Sequence, residues 1–220
     1  MYSFAQRSDT VVVDEPFYGY YLSIRPADHP GREEVIRSME TKQSAIVSTL
    51  LNTPRDRILF IKNMAHHLID IDEHFFMHVR NVFLIRNPKQ LIASFSQVIA
   101  KPTMTDIGVK KQHELFAWLL EKNTAPLVLD SGELLLDPAG VLRKLCQLIG
   151  IGFEEAMLSW KPGPRPEDGI WAKHWYANVH QSTGFQPQPT STRSLPEFLQ
   201  PLYEESLPLY NAMFRQAIKA

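Results

Sequence analysis

Arg86, Asn87, Pro88, Lys89 and Ser94 are the residues whose types and order most directly imply chemistry in this chain. They follow the apolar run Phe83-Leu84-Ile85, which reads as a buried strand. Asn87 offers an N-cap side chain, and Pro88 suits the first helical position, where a missing N–H costs nothing. An apolar periodic helix follows. The strand therefore runs straight into a helix N-terminus with a fixed cation at the turn. Free backbone N–H groups and the helix dipole point the same way there, a combination that binds anions. The plainer alternative is an ordinary strand–turn–helix with a solvated arginine.

Two further candidates sit at strand ends. Lys62 closes the run Ile58-Leu59-Phe60-Ile61 at its C-terminal edge, where ligands of open parallel sheets bind. A lysine snorkelling from a strand end is the alternative. Glu15 follows the β-branched run Thr10-Val11-Val12-Val13 and precedes an aromatic stretch, Phe17-Tyr18-Gly19-Tyr20-Tyr21. A carboxylate partly buried beside aromatic rings gains a raised pKa, which suits a general base. It could equally be a turn acid capping the next loop. His66 and His67 are the rival bases, or structural hydrogen-bonders at a helix start. The chain has 8 histidines, yet metal-ligand spacing is absent. His74 and His78 stand at i, i+4 with no third ligand in register, so no metal is expected.

These residues need elements to hold them. Strands are predicted over 10–13, 58–61, 82–85 and 127–129. Residues 1–7 read as the end of a helix and 17–21 as an aromatic loop. Helices are expected over 31–51, near 88–98, 109–123, 138–149 and 171–179, and from about 196 onward. Short apolar strands alternating with amphipathic helices mean βαβ units and an α/β domain with a parallel sheet. Residues 186–194, rich in Pro, Ser, Thr and Gln, read as an exposed loop.

Arg86, the Asn-Pro-Lys turn and Ser94 together resemble the 3′-phosphate-binding motif of sulfotransferases that use 3′-phosphoadenosine 5′-phosphosulfate (PAPS). Further segments resemble that family in the same order. They are Leu127-Val128-Leu129-Asp130 with Asp137-Pro138, the stretch from Leu142 to Phe153, and Gly169-Ile170-Trp171-Ala172-Lys173. The Asp-Glu-Pro-Phe-Tyr, Lys-Asn-Met-Ala-His-His and Trp-Lys-Pro-Gly-Pro-Arg-Pro-Glu-Asp-Gly segments are similar to a bacterial-type subgroup. Some of its relatives are named after branched-chain aminotransferases, although nothing here marks a Schiff-base lysine.

The resemblance implies a single domain over 1–220 with a P-loop NTPase-like architecture of parallel sheet and flanking helices. It implies that PAPS or its product PAP binds as co-substrate and that a sulfuryl group passes to a hydroxyl or amine acceptor, small or sugar-like. Arg86 and Ser94 would hold the 3′-phosphate, with Arg165 and Lys173 as further contacts. Trp171 would stack on adenine, although its spacing with Trp175 and Val179 also suits core packing. Lys62 would contact the phosphosulfate, and Glu15 would serve as base. Many family members place a base histidine two residues after the lysine. Met64 stands there in this chain, so His66 and His67 match that pattern poorly. The family's Gly/Ser/Thr-rich phosphosulfate loop and its strand find no counterpart, which implies a chain truncated at its N-terminus. The alternative is a non-catalytic relative that binds PAP or serves as a partner module. A nucleotide kinase is disfavoured, because no Gly-Lys-Ser/Thr triplet occurs.

Bulk properties narrow the rest. The 220 residues, 44% of them hydrophobic and 21% charged, suit a globular core. A net charge of −1 supplies no global field to recruit nucleic acid or an anionic membrane, so any anion site must be local. The single cysteine, Cys146, lies among Leu142, Leu145 and Ile149 at helical spacing and reads as a core thiol. No run approaches the ~20 apolar residues of a membrane span, and no signal peptide is evident, so a cytoplasmic location is expected.

Overall fold

The computed structural model describes residues 1–26, 29–54, 56–186 and 195–220. It divides into two compact units. Met1–His78 with Glu154–Phe185 form the first, and Val79–Phe153 with Gln186–Ala220 form the second.

In the first unit, β1 (Thr10–Asp14) and β2 (Ile58–Lys62) run parallel. Three consecutive valines in β1 favour an extended backbone, because branching at Cβ restricts χ1 and packs well on a pleated surface. A parallel pair needs a long crossover, and helices Tyr18–Ile24, Arg32–Ser38 and Gln43–Leu51 supply it. The register sets Asp14 opposite Lys62, so both strands end at the same level. Phe4 stacks on Phe60 at 4.5 Å, and Tyr18, Tyr21, Leu22, Val35 and Trp171 form a core cluster.

In the second unit, β3 (Val82–Ile85), β4 (Leu127–Asp130) and β5 (Ala217–Ile218) form a parallel sheet in that order. Helices Pro88–Phe95, Met104–Ile107 and Val109–Glu121 connect β3 to β4. Local chemistry fixes their ends. The Asn87 side chain accepts from Lys89 N–H at 3.0 Å with Pro88 at the first position, as the sequence implied. Asp137 caps Pro138–Ile149 through Gly140 N–H at 2.9 Å. Gly150 ends that helix at φ +80°, a left-handed position that glycine takes without a Cβ clash. Cys146 is buried in the core, as its spacing suggested.

Asp130 closes β4 and holds two elements. It accepts from Gly132 N–H (2.8 Å) and Glu133 N–H (3.1 Å), and from the buried Tyr210 hydroxyl (3.0 Å). Asp130→Ala removes a helix cap and strands a buried hydroxyl. We expect a loss of about 2–4 kcal/mol in denaturant unfolding.

The four predicted strands and the α/β class agree with the sequence reading, whereas β5 lies in the tail expected to be helical, and several helical boundaries differ. The expected aromatic loop at 17–21 is mostly helix. Tyr18, Tyr21 and Leu22 lie at i, i+3 and i+4, and their burial on one face outweighs the helix-weakening Gly19. Gly19 also permits close packing, since a Cβ there would lie 2.7 Å from Met39 Cβ. The predicted helix over 31–51 is two helices, with a break after Ser38. The one over 171–179 is two short helices, Ala172–Trp175 and Ala177–Gln181. Residues 1–7 hold only a 3-10 turn, Phe4–Gln6. Most of the predicted exposed loop, residues 187–194, lies outside the described residues.

Candidate functional site

The ladder between β1 and β2 continues one step past the strands, because Glu15 N–H donates to Lys62 C=O at 2.7 Å. Glu15 then turns the chain with φ +45°. That left-handed conformation costs a non-glycine residue roughly 1–2 kcal/mol. Tyr18 N–H donating to Glu15 C=O at 2.9 Å fixes the far side of the turn. The backbone thus aims the Glu15 carboxylate back over the strand ends, where its residue is 5% exposed.

Lys62 Nζ donates to Glu15 Oε1 and to the Tyr176 hydroxyl (3.0 Å), and lies 3.5 Å from Asp14 Oδ1. The Tyr176 hydroxyl stands 2.8 Å from each Asp14 oxygen and 3.3 Å from Glu15 Oε1. Gly169 N–H donates to Asp14 Oδ2 at 3.2 Å. Two buried carboxylates therefore share one ammonium and one phenol. His67 Nδ1 lies 3.5 Å from Glu15 Oε2, and its ring stacks on Tyr18 at 4.5 Å. His66 is buried beside it, with ring centroids 4.4 Å apart.

The electrostatics separate the rival bases. Burial raises the Glu15 carboxyl above its usual range, with the Lys62 ammonium opposing. Burial also pushes His67 well below its ordinary value, helped by His66 and Lys62. Glu15 is thus a stronger base than an exposed glutamate, and His67 a weaker one than an exposed histidine. The Tyr176 phenol is raised by burial and by the neighbouring Glu15 and Asp14, so it keeps its proton at neutral pH.

Arg86 follows β3 in the second unit, half-buried, with burial lowering its guanidinium pKa. Ser94 is exposed on the helix that Asn87 caps. In the first unit, Arg165 pairs with Glu167 (3.2 Å) and faces the Tyr2 ring, and Lys173 pairs with Glu34 at 2.6 Å on the surface. Trp171 is 4% exposed and packs edge-on against Tyr18, so the indole is a core side chain here rather than an open stacking plane.

A family profile described as a sulfotransferase domain matches residues 1–217. The chain belongs to the sulfotransferase domain family. This sulfotransferase-family chain is 38% identical over 215 residues to branched-chain-amino-acid aminotransferase-like protein 1 of Arabidopsis thaliana, covering 97% of this chain and 39% of that protein. The corresponding figures for aminotransferase-like protein 2 of the same plant are 34%, 97% and 38%. The chain thus spans under two-fifths of the length of these curated relatives. Among solved structures, it is similar to the sulfotransferase domain of the Synechococcus PCC 7002 olefin synthase, with 16% identity, 89% and 93% coverage and a TM-score of 0.48. The sulfotransferase domain from the curacin biosynthetic pathway gives 14%, 84%, 76% and 0.44.

Sequence reasoning on this sulfotransferase-family chain missed Asp14, Tyr176 and a neighbouring cluster. In that cluster, Asp168 accepts from Tyr2 OH (2.7 Å) and from Arg165 N–H (2.8 Å), and lies 3.0 Å from His180 Nε2. Asp14 carried a usable signal, as the last residue of a strand beside Glu15. Tyr176 carried none, since 161 residues separate it from Glu15.

Proposed function

We propose that this chain transfers a sulfuryl group from PAPS to a hydroxyl or amine acceptor, with Glu15 as base and Lys62 as the cation at the reacting centre. The conformation of Glu15 is the observation that supports this most. A buried carboxylate on a left-handed backbone, held against the lysine at the strand ends, is a costly arrangement. Backbone strain of this kind clusters at functional sites.

The residues present suit an anionic donor. Lys62 supplies a quarter-exposed ammonium at the end of β2, and Arg86 supplies a partly desolvated guanidinium before a capped helix N-terminus. PAPS, when bound, supplies the sulfuryl group and a phosphate that leaves with the bonding electron pair. Glu15 takes the acceptor's proton as the acceptor atom bonds to sulfur. Lys62 gives up its carboxylate partners to balance charge on the leaving oxygens, and this exchange frees the Glu15 lone pairs for the proton. Arg86 and Ser94 anchor the 3′-phosphate by donating charge-assisted hydrogen bonds to its oxygens.

The decisive assay is transfer of labelled sulfur from PAPS to a panel of hydroxyl and amine acceptors, with PAP release measured in parallel. Tight PAP binding without release from PAPS under any acceptor would replace the enzyme reading with a non-catalytic PAP-binding protein. For the nucleotide contact, Arg86→Ala is expected to weaken PAP binding by about tenfold or more, as for a lost hydrogen bond to a charged group. AMP binding should change much less, because AMP lacks the 3′-phosphate. Equal losses for both nucleotides, measured by calorimetry, would remove Arg86 from that phosphate.

A further inference from the structure

We infer that Tyr176 is a positioning residue for this site, its hydroxyl joining the Lys62 ammonium to the Asp14 carboxylate and so fixing where the ammonium sits. The inference rests on the reading of Lys62 and Glu15 given above. A phenol has one proton to donate and lone pairs to accept with. Asp14 and Glu15 can only accept when ionised, and Lys62 can only donate. The Tyr176 proton therefore goes to a carboxylate, and Asp14 is nearer, at 2.8 Å against 3.3 Å for Glu15. Its lone pair takes a Lys62 N–H at 3.0 Å.

Asp14 is the fixed end of this link. It is the last residue of β1, opposite Lys62 in the ladder, and Gly169 N–H also holds it. Direct contact between Lys62 and Asp14 is long, at 3.5 Å. Without the hydroxyl, the ammonium keeps Glu15 as its one close partner among the described residues and loses its link to Asp14 at the end of β1. The Lys62 ring contact, 5.3 Å from the Tyr176 centroid, survives a change to phenylalanine. The hydroxyl is therefore separable from the packing of the ring.

The test is the proton–nitrogen spectrum of the lysine ammonium groups in the isotope-labelled chain, with the Lys62 signal identified by its loss in Lys62→Arg. In Tyr176→Phe the Lys62 signal should shift, and its protons should exchange with water about threefold faster or more, as expected for one lost hydrogen bond. A folded Tyr176→Phe chain whose Lys62 signal neither shifts nor exchanges faster overturns the inference. If that variant fails to fold, Asp14→Asn decides, because it keeps the tyrosine and weakens its acceptor. The same displacement is expected there, and an unmoved Lys62 signal again overturns the inference. The readout needs no turnover. A chain whose Lys62 signal depends on Tyr176 but which transfers no sulfuryl group keeps the positioning role and loses the proposed reaction.

Discussion

Glu15→Gln is expected to reduce sulfuryl transfer by about 10²–10⁴-fold, the usual worth of a positioned general base. PAP affinity should stay nearly unchanged, because the replacement has the same shape and leaves Lys62, Arg86 and Ser94 in place. Initial rates with labelled PAPS, set beside PAP calorimetry, measure both. The contrast is with His66→Ala and His67→Ala. Burial weakens His67 as a base, so His67→Ala should not match the loss. If His67→Ala abolishes transfer and Glu15→Gln does not, the base is the histidine.

The same substitution carries a stability signature of opposite sign. The folded-state pKa of Glu15 lies above that of an unfolded glutamate. The folded chain therefore binds more protons than the unfolded chain between the two values. The stability this contributes is fully present below the ordinary carboxylate range and is lost as pH rises through the raised value. Glu15→Gln removes the titration. At pH 8 the variant should melt above the parent, and the gap should shrink on acidification. A gap that grows toward low pH would contradict the raised carboxyl.

Lys62→Met is expected to damage folding as well as turnover. It leaves Asp14 and Glu15, both buried, without their shared ammonium. Breaking a buried ion pair by removing one partner costs about 3–5 kcal/mol. Lys62 is itself a quarter exposed, so the lower end of that range applies. Urea unfolding at neutral pH measures the loss, and protonation of Glu15 at acid pH should recover part of it. The double variant Lys62→Met with Glu15→Gln should regain most of the stability while remaining inactive. If the double variant is no more stable than the single one, repulsion between the two carboxylates is not what Lys62 relieves.

The sequence carried the skeleton of this arrangement further than its details. Strands were legible because β-branched and apolar runs ending on Asp14, Lys62 and Arg86 leave few alternatives to a buried parallel strand. The helix at Pro88 was legible because Asn87 and Pro88 are local signals that act within one turn. The helix at Tyr18 was obscured by Pro16 and Gly19, which suggest a loop until the tertiary burial of three side chains is known. Glu15 and Lys62 were identified singly from their strand ends, but their pairing depends on register, which no local pattern specifies. Tyr176 lies on a segment brought in from the far end of the first unit, so its part in the site is a tertiary fact. Lys173 and Arg165 came from the family resemblance, which does not reveal that each has a carboxylate partner nearby.

The register between β1 and β2 has a consequence for how this family can vary. The acid and the ammonium owe their separation to a hydrogen-bonded ladder, with Asp14 opposite Lys62 and Glu15 one step beyond. The crossover between them contributes no rung to that ladder. Lengthening a loop after Ser38, or adding a turn of helix, costs only the small entropy of a longer closure. A single residue inserted within β1 would instead turn its side chains to the opposite face and carry Asp14 and Glu15 away from Lys62. Descendants of this chain are thus free to remodel the crossover beyond the Tyr18 helix, which holds the Glu15 turn, without disturbing the reacting groups. The two short strands have no such freedom.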